Sequence, residues 1–131
     1  MSTRAVNVDV APGELIDKIT ILMIKSERMD DPAKLANVLL ELDILRAARG
    51  SSISESEALD DLTTRLKKVN EALWEIEDNI RACEAERDFG DNFVQLARAV
   101  YRTNDKRAEL KREINLLLGS EIVEEKSYKS Y

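Results

Sequence analysis

Residues 59–83 read LDDLTTRLKKVNEALWEIEDNIRAC, and this stretch decides the fold class. Its apolar residues return at alternating steps of three and four, at Leu59, Leu62, Leu66, Val69, Leu73, Ile76, Ile80 and Cys83. Such a heptad seam is typical of a long helix that packs along another helix. We therefore predict a helix over residues 55–87, begun by a capping box at Ser54 and Glu57, in a coiled-coil-like pair.

The partner of this helix follows directly in the chain, over residues 92–118, and ends before Gly119. Its seam runs through Phe93, Leu96, Val100, Thr103, Arg107, Leu110, Ile114 and Leu117. Because the turn at residues 88–91 is short, the two helices are predicted to lie antiparallel. That arrangement sets residue 74 roughly level with residue 104.

Two earlier helices are predicted at residues 13–29 and 32–49, the second ending at Gly50. Both have apolar residues on two sides. In the first, Ile21 and Ile24 interrupt a charged face. The second has one stripe through Leu35, Val38, Leu39, Leu42 and Leu45, and another through Ala33, Leu40, Ile44 and Ala47. A second stripe predicts a second contact, within the bundle or between subunits.

The whole pattern predicts an all-α helical bundle built as a single domain of 131 residues. We divide it into an extended arm (1–12), a helix pair (13–50), a long helical hairpin (54–118) and a polar tail (119–131). Val6–Val10 alternates like a short strand, and Ile122-Val123 is its candidate partner.

Composition excludes several classes of function. The net charge of −6 disfavours binding to nucleic acid or to an anionic membrane. With no histidine, catalysis or zinc binding by histidine is impossible. The single cysteine, Cys83, is expected in the core, and it fits a reducing, cytoplasmic location.

Polar residues interrupt both halves of the predicted hairpin. Since the two interruptions should meet, we predict one cluster of Asn70, Trp74, Glu77, Asp78, Arg81, Tyr101, Asn104, Asp105 and Arg107. One interpretation is a buried network that fixes helix register. The other is a ligand pocket, in which Glu77, Asp78 and Asp105 hold Mg²⁺ or Mn²⁺ through oxygen atoms.

A second candidate site lies at the start of the first helix, where Glu14, Asp17 and Lys18 share one side. The simpler interpretation is an acidic first turn that stabilises the positive end of the helix dipole.

Four segments resemble a bacterial family of small helical proteins of unknown function. They are PGELIDKITIL (12–22), LWEIED (73–78), YRTND (101–105) and VEEKSY (123–128). Genes of similar sequence often lie near cell-surface polysaccharide genes. The resemblance therefore implies a cellular context for the protein but does not indicate its activity. Asn70, Trp74, Glu77, Asp78, Asn104 and Asp105 also resemble a second helical family and, distantly, the all-α nucleoside-triphosphate pyrophosphohydrolases. In the latter, paired carboxylates hold Mg²⁺, and only Glu75 and Asp78 match that pattern.

The leading functional hypothesis is a non-catalytic helical module that assembles with itself, most simply as a dimer, or with a helical partner. The alternative is a Mg²⁺- or Mn²⁺-dependent hydrolase of a nucleotide or nucleotide-sugar-like phosphate. In that hypothesis Arg81 and Arg107 neutralise the phosphate. A third hypothesis is a small-molecule binder that uses the same pocket without chemistry.

Overall fold

The computed structural model describes residues 4–131 and folds them into α1 (Pro12–Arg28), α2 (Pro32–Ser52), α3 (Glu57–Glu86) and α4 (Asp91–Leu117). This is the all-α bundle that the periodicity predicts. The strand expected at Val6–Val10 does not form, and no strand occurs within residues 4–131. The three valines of this segment are exposed to solvent. The alternation of apolar and polar residues here therefore does not mark a strand of a sheet.

The α3–α4 hairpin has the predicted antiparallel arrangement. Near the turn, the Asn92 amide lies 3.6 Å from the sulfur of Cys83. Further along, Asn70 and Arg107 both bond to a single side chain, Asp17 of α1. These two pairings have nearly the same register, which confirms that residue 74 is roughly level with residue 104.

Helix α1 is central, because among the described helices it alone contacts the other three. On one side Ile16 joins a buried cluster with Leu59, Leu62, Leu66, Leu110 and Ile114 of the hairpin. On another side Ile19 and Leu22 join Val38 and Leu42 of α2. Of the two residues that interrupt the charged face, Ile24 is buried and Ile21 is half-buried.

Two predicted helix ends are wrong. Helix α2 continues through Gly50 to Ser52, and the Ile53 amide closes it by donating to the Arg49 carbonyl oxygen. Gly50 therefore does not end the helix. The N-cap of α3 is Ser56 rather than Ser54, because its hydroxyl accepts the Leu59 N–H at 3.1 Å.

The lengths of the helices decide which part of the hairpin is covered. Helix α3 has 30 residues and α1 has 17, or about 45 Å against about 25 Å at 1.5 Å per residue. Arg28, the last residue of α1, reaches Glu71 and Glu75 of α3. The hairpin beyond that point projects as a two-helix arm. None of the helices in residues 4–131 combines the length and apolar character needed to cross a membrane.

Candidate functional sites

A buried carboxylate ties three helices together. Asp17 of α1 is 1% exposed. Arg107 of α4 donates from Nε to Oδ1 at 3.0 Å and from Nη2 to Oδ2. Asn70 of α3 donates from Nδ2 to Oδ1 at 2.9 Å and to the Thr20 hydroxyl at 2.9 Å. We call Asp17, Thr20, Asn70 and Arg107 the polar centre. Its bidentate ion pair compensates for burying the charge.

Lys111 extends this charge network toward the surface. Its Nζ donates to Glu14 Oε2 at 2.7 Å and lies 3.9 Å from Asp17 Oδ2. The hydrogen bond from Lys111 lowers the pKa of Glu14, against the opposing effect of burial. The hydrogen bond to Asp17 likewise raises the pKa of Arg107. Both shifts favour the charged forms of Glu14 and Arg107.

The start of α1 is anchored on α4 by a close backbone approach. The Gly13 N–H donates to Asn115 Oδ1 at 2.7 Å, and both residues are buried. A β-carbon on Gly13 would collide with the Lys111 carbonyl oxygen and lie 2.9 Å from Asn115 Oδ1. Glycine at this position is what lets Asp17, one turn later, reach Arg107.

A cavity of about 580 Å³ lies between α4 and the C-terminal tail. The tail, residues 119–131, is docked on α4 at Asp105. Lys126 Nζ donates to Asp105 Oδ1 at 2.8 Å, and the Tyr131 hydroxyl donates to Oδ2 at 2.6 Å. The rings of Tyr131 and Tyr101 pack edge to face, 4.9 Å between centroids. The tail thus forms one wall of the cavity.

The two candidate sites predicted from the sequence partly merge. Asp17, from the second candidate, joins Asn70 and Arg107, from the first, in the polar centre. On the outer side of α4, Arg107 also lines the cavity with Tyr101, Asn104 and Asp105. Of the predicted cluster, the structure thus joins Asn70 to Arg107 through Asp17 and groups Arg107 with the other α4 residues along the cavity.

The other α3 residues of the predicted cluster lie elsewhere. Trp74 is half-buried under the Arg28 guanidinium, 5.9 Å from the ring centroid. Glu77 and Arg81 pair with each other on the surface at 3.0 Å. Asp78 is exposed, as is Lys18 of the second candidate. Helix α1 ends before reaching this level, so the exposed residues face solvent.

The carboxylates predicted to bind Mg²⁺ or Mn²⁺ are not brought together. Within residues 4–131, no group of three or more His, Cys, Asp or Glu side chains has the arrangement of a metal site. Asp105 is occupied by Lys126 and Tyr131, whereas Glu77 is paired with Arg81.

Three residues of these contacts are absent from the sites predicted from the sequence: Thr20 of the polar centre, Lys111 beside it, and Asn115 at the start of α1. A signal for the last two is present. Asn104, Arg107, Lys111 and Asn115 follow each other at steps of three, four and four, so they form a polar stripe along α4. The predicted cluster includes only its first two members, Asn104 and Arg107. Thr20 gave no such signal, since it lies among apolar residues of α1.

A different kind of site lies on α2. This helix contacts only α1 among the described helices, and it does so through Val38 and Leu42. On the opposite side, Leu40 and Ile44 are 63% and 59% exposed. Ala33 and Ala47 are exposed on the same side. We call Ala33, Leu40, Ile44 and Ala47 the outer face of α2. It is the second apolar stripe that the sequence predicted.

The chain belongs to the family of unknown function DUF6165, whose model matches residues 6–131. This confirms the resemblance to a family of unknown function that the four sequence segments indicated. No curated protein and no solved structure matches the chain. The likeness to pyrophosphohydrolases stays a prediction.

Proposed function

We propose that this protein is a non-catalytic helical module that assembles with a second copy of itself through the outer face of α2. The observation that carries the proposal is the exposure of Leu40 and Ile44 at the middle of this helix. Scattered single apolar residues are normal on a protein surface, but a stripe along a helix is the pattern of a helix–helix contact. Such a contact removes these side chains from water.

The size of the residues on the outer face favours another helix as the partner. Ala33 and Ala47 lie toward the two ends of the stripe and the larger Leu40 and Ile44 lie between them. In an antiparallel pair centred near Leu40, Ala33 of one copy lies opposite Ala47 of the other. Ile44 then lies opposite Ala36, which is also exposed. At the centre, Leu40 of one copy meets Leu40 of the other, and on either side of it the larger Ile44 fits against the smaller Ala36, as in closely packed helix pairs.

Charge distinguishes the two orientations of the pair. Lys34 and Glu41 lie on one flank of the outer face, and a two-fold axis between antiparallel helices brings that flank against itself. With the pair centred near Leu40, the two Glu41 side chains lie about 3 Å apart along the axis and repel each other. Lys34 is level with Arg46 of the other copy. A parallel pair would instead bring Glu41 toward Asp43 of the partner.

Sedimentation velocity tests the proposal directly. The wild-type chain should sediment with twice its 14.9 kDa mass. The double variant Leu40→Glu, Ile44→Glu should sediment as a single chain, because assembly would bury two carboxylates without partners. Leu116→Glu is the matched control, since Leu116 is also 63% exposed but lies on α4. A monomeric wild type, or a dimer that survives the double variant, contradicts the proposal.

Charge neutralisation tests the orientation of the two copies. Glu41→Gln should strengthen the dimer, because it removes the repulsion between the two Glu41 side chains. Asp43→Asn should leave the dissociation constant unchanged in the antiparallel pair, since the Asp43 side chains of the two copies are six residues apart along the axis. If Asp43→Asn strengthens the dimer as much as Glu41→Gln, the antiparallel arrangement is wrong. For the cellular setting, we retain the cell-surface polysaccharide context that the sequence resemblance implies.

A further inference from the structure

The cavity between α4 and the tail has the size and lining of a small-ligand site. Its volume of about 580 Å³ falls within the range of about 300–1,000 Å³ that is usual for ligand pockets. Aromatic side chains, Tyr101 and Tyr128, lie along it together with the amide of Asn104. None of these three residues belongs to the buried core clusters, and the α2 interface proposed above does not involve them.

The lining is rich in positive charge on its helical side. Arg107, Lys111 and Arg112 of α4 and Lys126 of the tail contribute four cations. Two of these cations are also paired with acids of α1, Arg107 with Asp17 and Lys111 with Glu14. The other acids are Asp105 on α4 and two residues of the tail, Glu124 and Glu125. Among the described residues, Arg112 has only the tail carboxylate of Glu125 as its ion-pair partner.

Asp17 fixes the Arg107 side chain but binds only two of its three guanidinium nitrogens. Asp17 accepts from Nε and Nη2, which fixes the plane of the guanidinium. The third nitrogen, Nη1, makes no hydrogen bond within residues 4–131. Every buried side-chain nitrogen or oxygen in these residues has a hydrogen-bond partner. Because Nη1 has none, it must be accessible to solvent. A guanidinium fixed from behind is a preorganised anion donor.

The tail carboxylates hold their cations loosely. Glu124 lies 3.6 Å from Lys111 Nζ, and Glu125 lies 3.4 Å from Arg112 Nη1. The helix-borne Glu14, in contrast, approaches Lys111 to 2.7 Å. Both tail side chains are more than half exposed. Ion pairs of this kind contribute little to stability and exchange readily with other anions.

We propose that this cavity binds a small phosphate monoester that carries a ring, and that the phosphate replaces the Glu124 and Glu125 carboxylates. A phosphate monoester carries nearly two negative charges at neutral pH, which matches the two carboxylates it displaces. Its oxygens would accept from Arg107 Nη1 and from Lys111. The ring would lie against Tyr101 and Tyr128, with Asn104 hydrogen-bonding to its polar substituents.

Calorimetric titration of the full chain with phenyl phosphate and with inorganic phosphate, at constant ionic strength, tests the proposal. Both should bind saturably with one site per chain, and phenyl phosphate should bind more tightly. Glu124→Gln should tighten phenyl phosphate binding by about twofold to fivefold, since the competing ion pair is lost. Glu121→Gln, a change of the same charge elsewhere in the tail, is the matched control and should leave affinity unchanged.

Two arginine variants locate the site. Arg107→Lys should weaken phenyl phosphate at least about tenfold, because a lysine loses the fixed fork. As it also disturbs Asp17, Arg112→Gln provides a variant that leaves the polar centre intact, with an expected loss of about threefold. Arg81→Gln, at the hairpin tip, should change nothing. Absence of saturable binding, equal affinities for Glu124→Gln and Glu121→Gln, or unchanged binding in both Arg107→Lys and Arg112→Gln would overturn the proposal.

Discussion

The base and the tip of the α3–α4 hairpin share one continuous apolar seam but differ in burial. At the base, Leu59, Leu62 and Leu66 are buried against Ile16 of α1. Toward the tip, the larger seam residues Leu73 and Ile80 stay half-buried, although the small Cys83 beside the turn is buried. The difference comes from α1, which ends near Glu75. A heptad pattern predicts which side of a helix packs, whereas a third helix decides how deeply it is buried.

The same contrast separates two ion pairs of similar chemistry. At the base, Asp17 and Arg107 pair in a bidentate geometry, with the carboxylate removed from solvent. At the tip, Glu77 and Arg81 pair one turn apart, with both side chains more than half exposed. Buried pairs are costly to break on one side, but exposed pairs contribute little.

Removing the base carboxylate should have the largest effect. Asp17→Ala leaves Arg107 and Asn70 without their acceptor, so we expect a loss of about 3 kcal/mol in the free energy of unfolding. This value is at the lower end of the range for breaking a buried ion pair. We choose that end because 31% of the Arg107 side chain is exposed, so water can partly solvate its charge. Glu77→Ala at the tip should cost less than about 0.5 kcal/mol. Urea unfolding measures both, and similar losses would remove the distinction between base and tip.

Truncation along the seam tests the burial difference itself. Leu66 and Leu73 occupy equivalent seam positions one heptad apart, and Leu66 is fully buried. Leu66→Ala should lower the free energy of unfolding by about 3 kcal/mol, because it removes contacts and leaves a cavity. Leu73→Ala should cost about 1 kcal/mol, since its site is open on one side. A larger loss at Leu73 would mean that the tip is covered in solution.

Glycine substitutions test how much the close contact between Gly13 of α1 and α4 contributes to stability. Gly13→Ala should destabilise the protein by about 2 kcal/mol, because the new methyl group meets the Lys111 carbonyl oxygen. Gly50→Ala is the control, since Gly50 lies within α2 and a β-carbon there meets nothing within 4 Å. It should stabilise by about 0.5–1 kcal/mol through the higher helix propensity of alanine. Thermal unfolding separates the two, and a neutral Gly13→Ala would show that α1 can move off α4.

The pH dependence of Glu14 gives the smallest effect. Because the pKa of Glu14 is lowered on folding, its contribution is present at neutral pH and is lost as the pH falls below 4.5, its ordinary value. We expect Glu14→Gln to cost about 0.5–1 kcal/mol at pH 7 and progressively less below pH 4.5. Glu84→Gln, near the hairpin tip, is the comparison. A cost for Glu14→Gln that persists at low pH would contradict a charge-based contribution.

The part of the polar centre that could be predicted follows from local periodicity. Asn70 and Arg107 break their seams, and Asp17 lies one turn into a helix on the same side as Glu14. Their meeting could not be derived, because it requires α1 to lie in the groove between α3 and α4. For the same reason the sequence pattern groups Trp74 and Glu77 with them, although α1 ends with Arg28 over Trp74 and has no residue at the level of Glu77.

By itself, the sequence determined the four helices, their antiparallel hairpin and the two apolar sides of α1 and α2. These features depend on the spacing of residues within one segment, which the helical repeat converts into faces. Only the tertiary structure decided that Asp17 is buried, that Lys111 joins it, and that the tail covers Asp105. Such contacts join residues that are distant in the chain, and their energies depend on which helix ends where. The outer face of α2 belongs to both levels: its pattern is local, but its exposure follows from α2 having α1 alone as its neighbour.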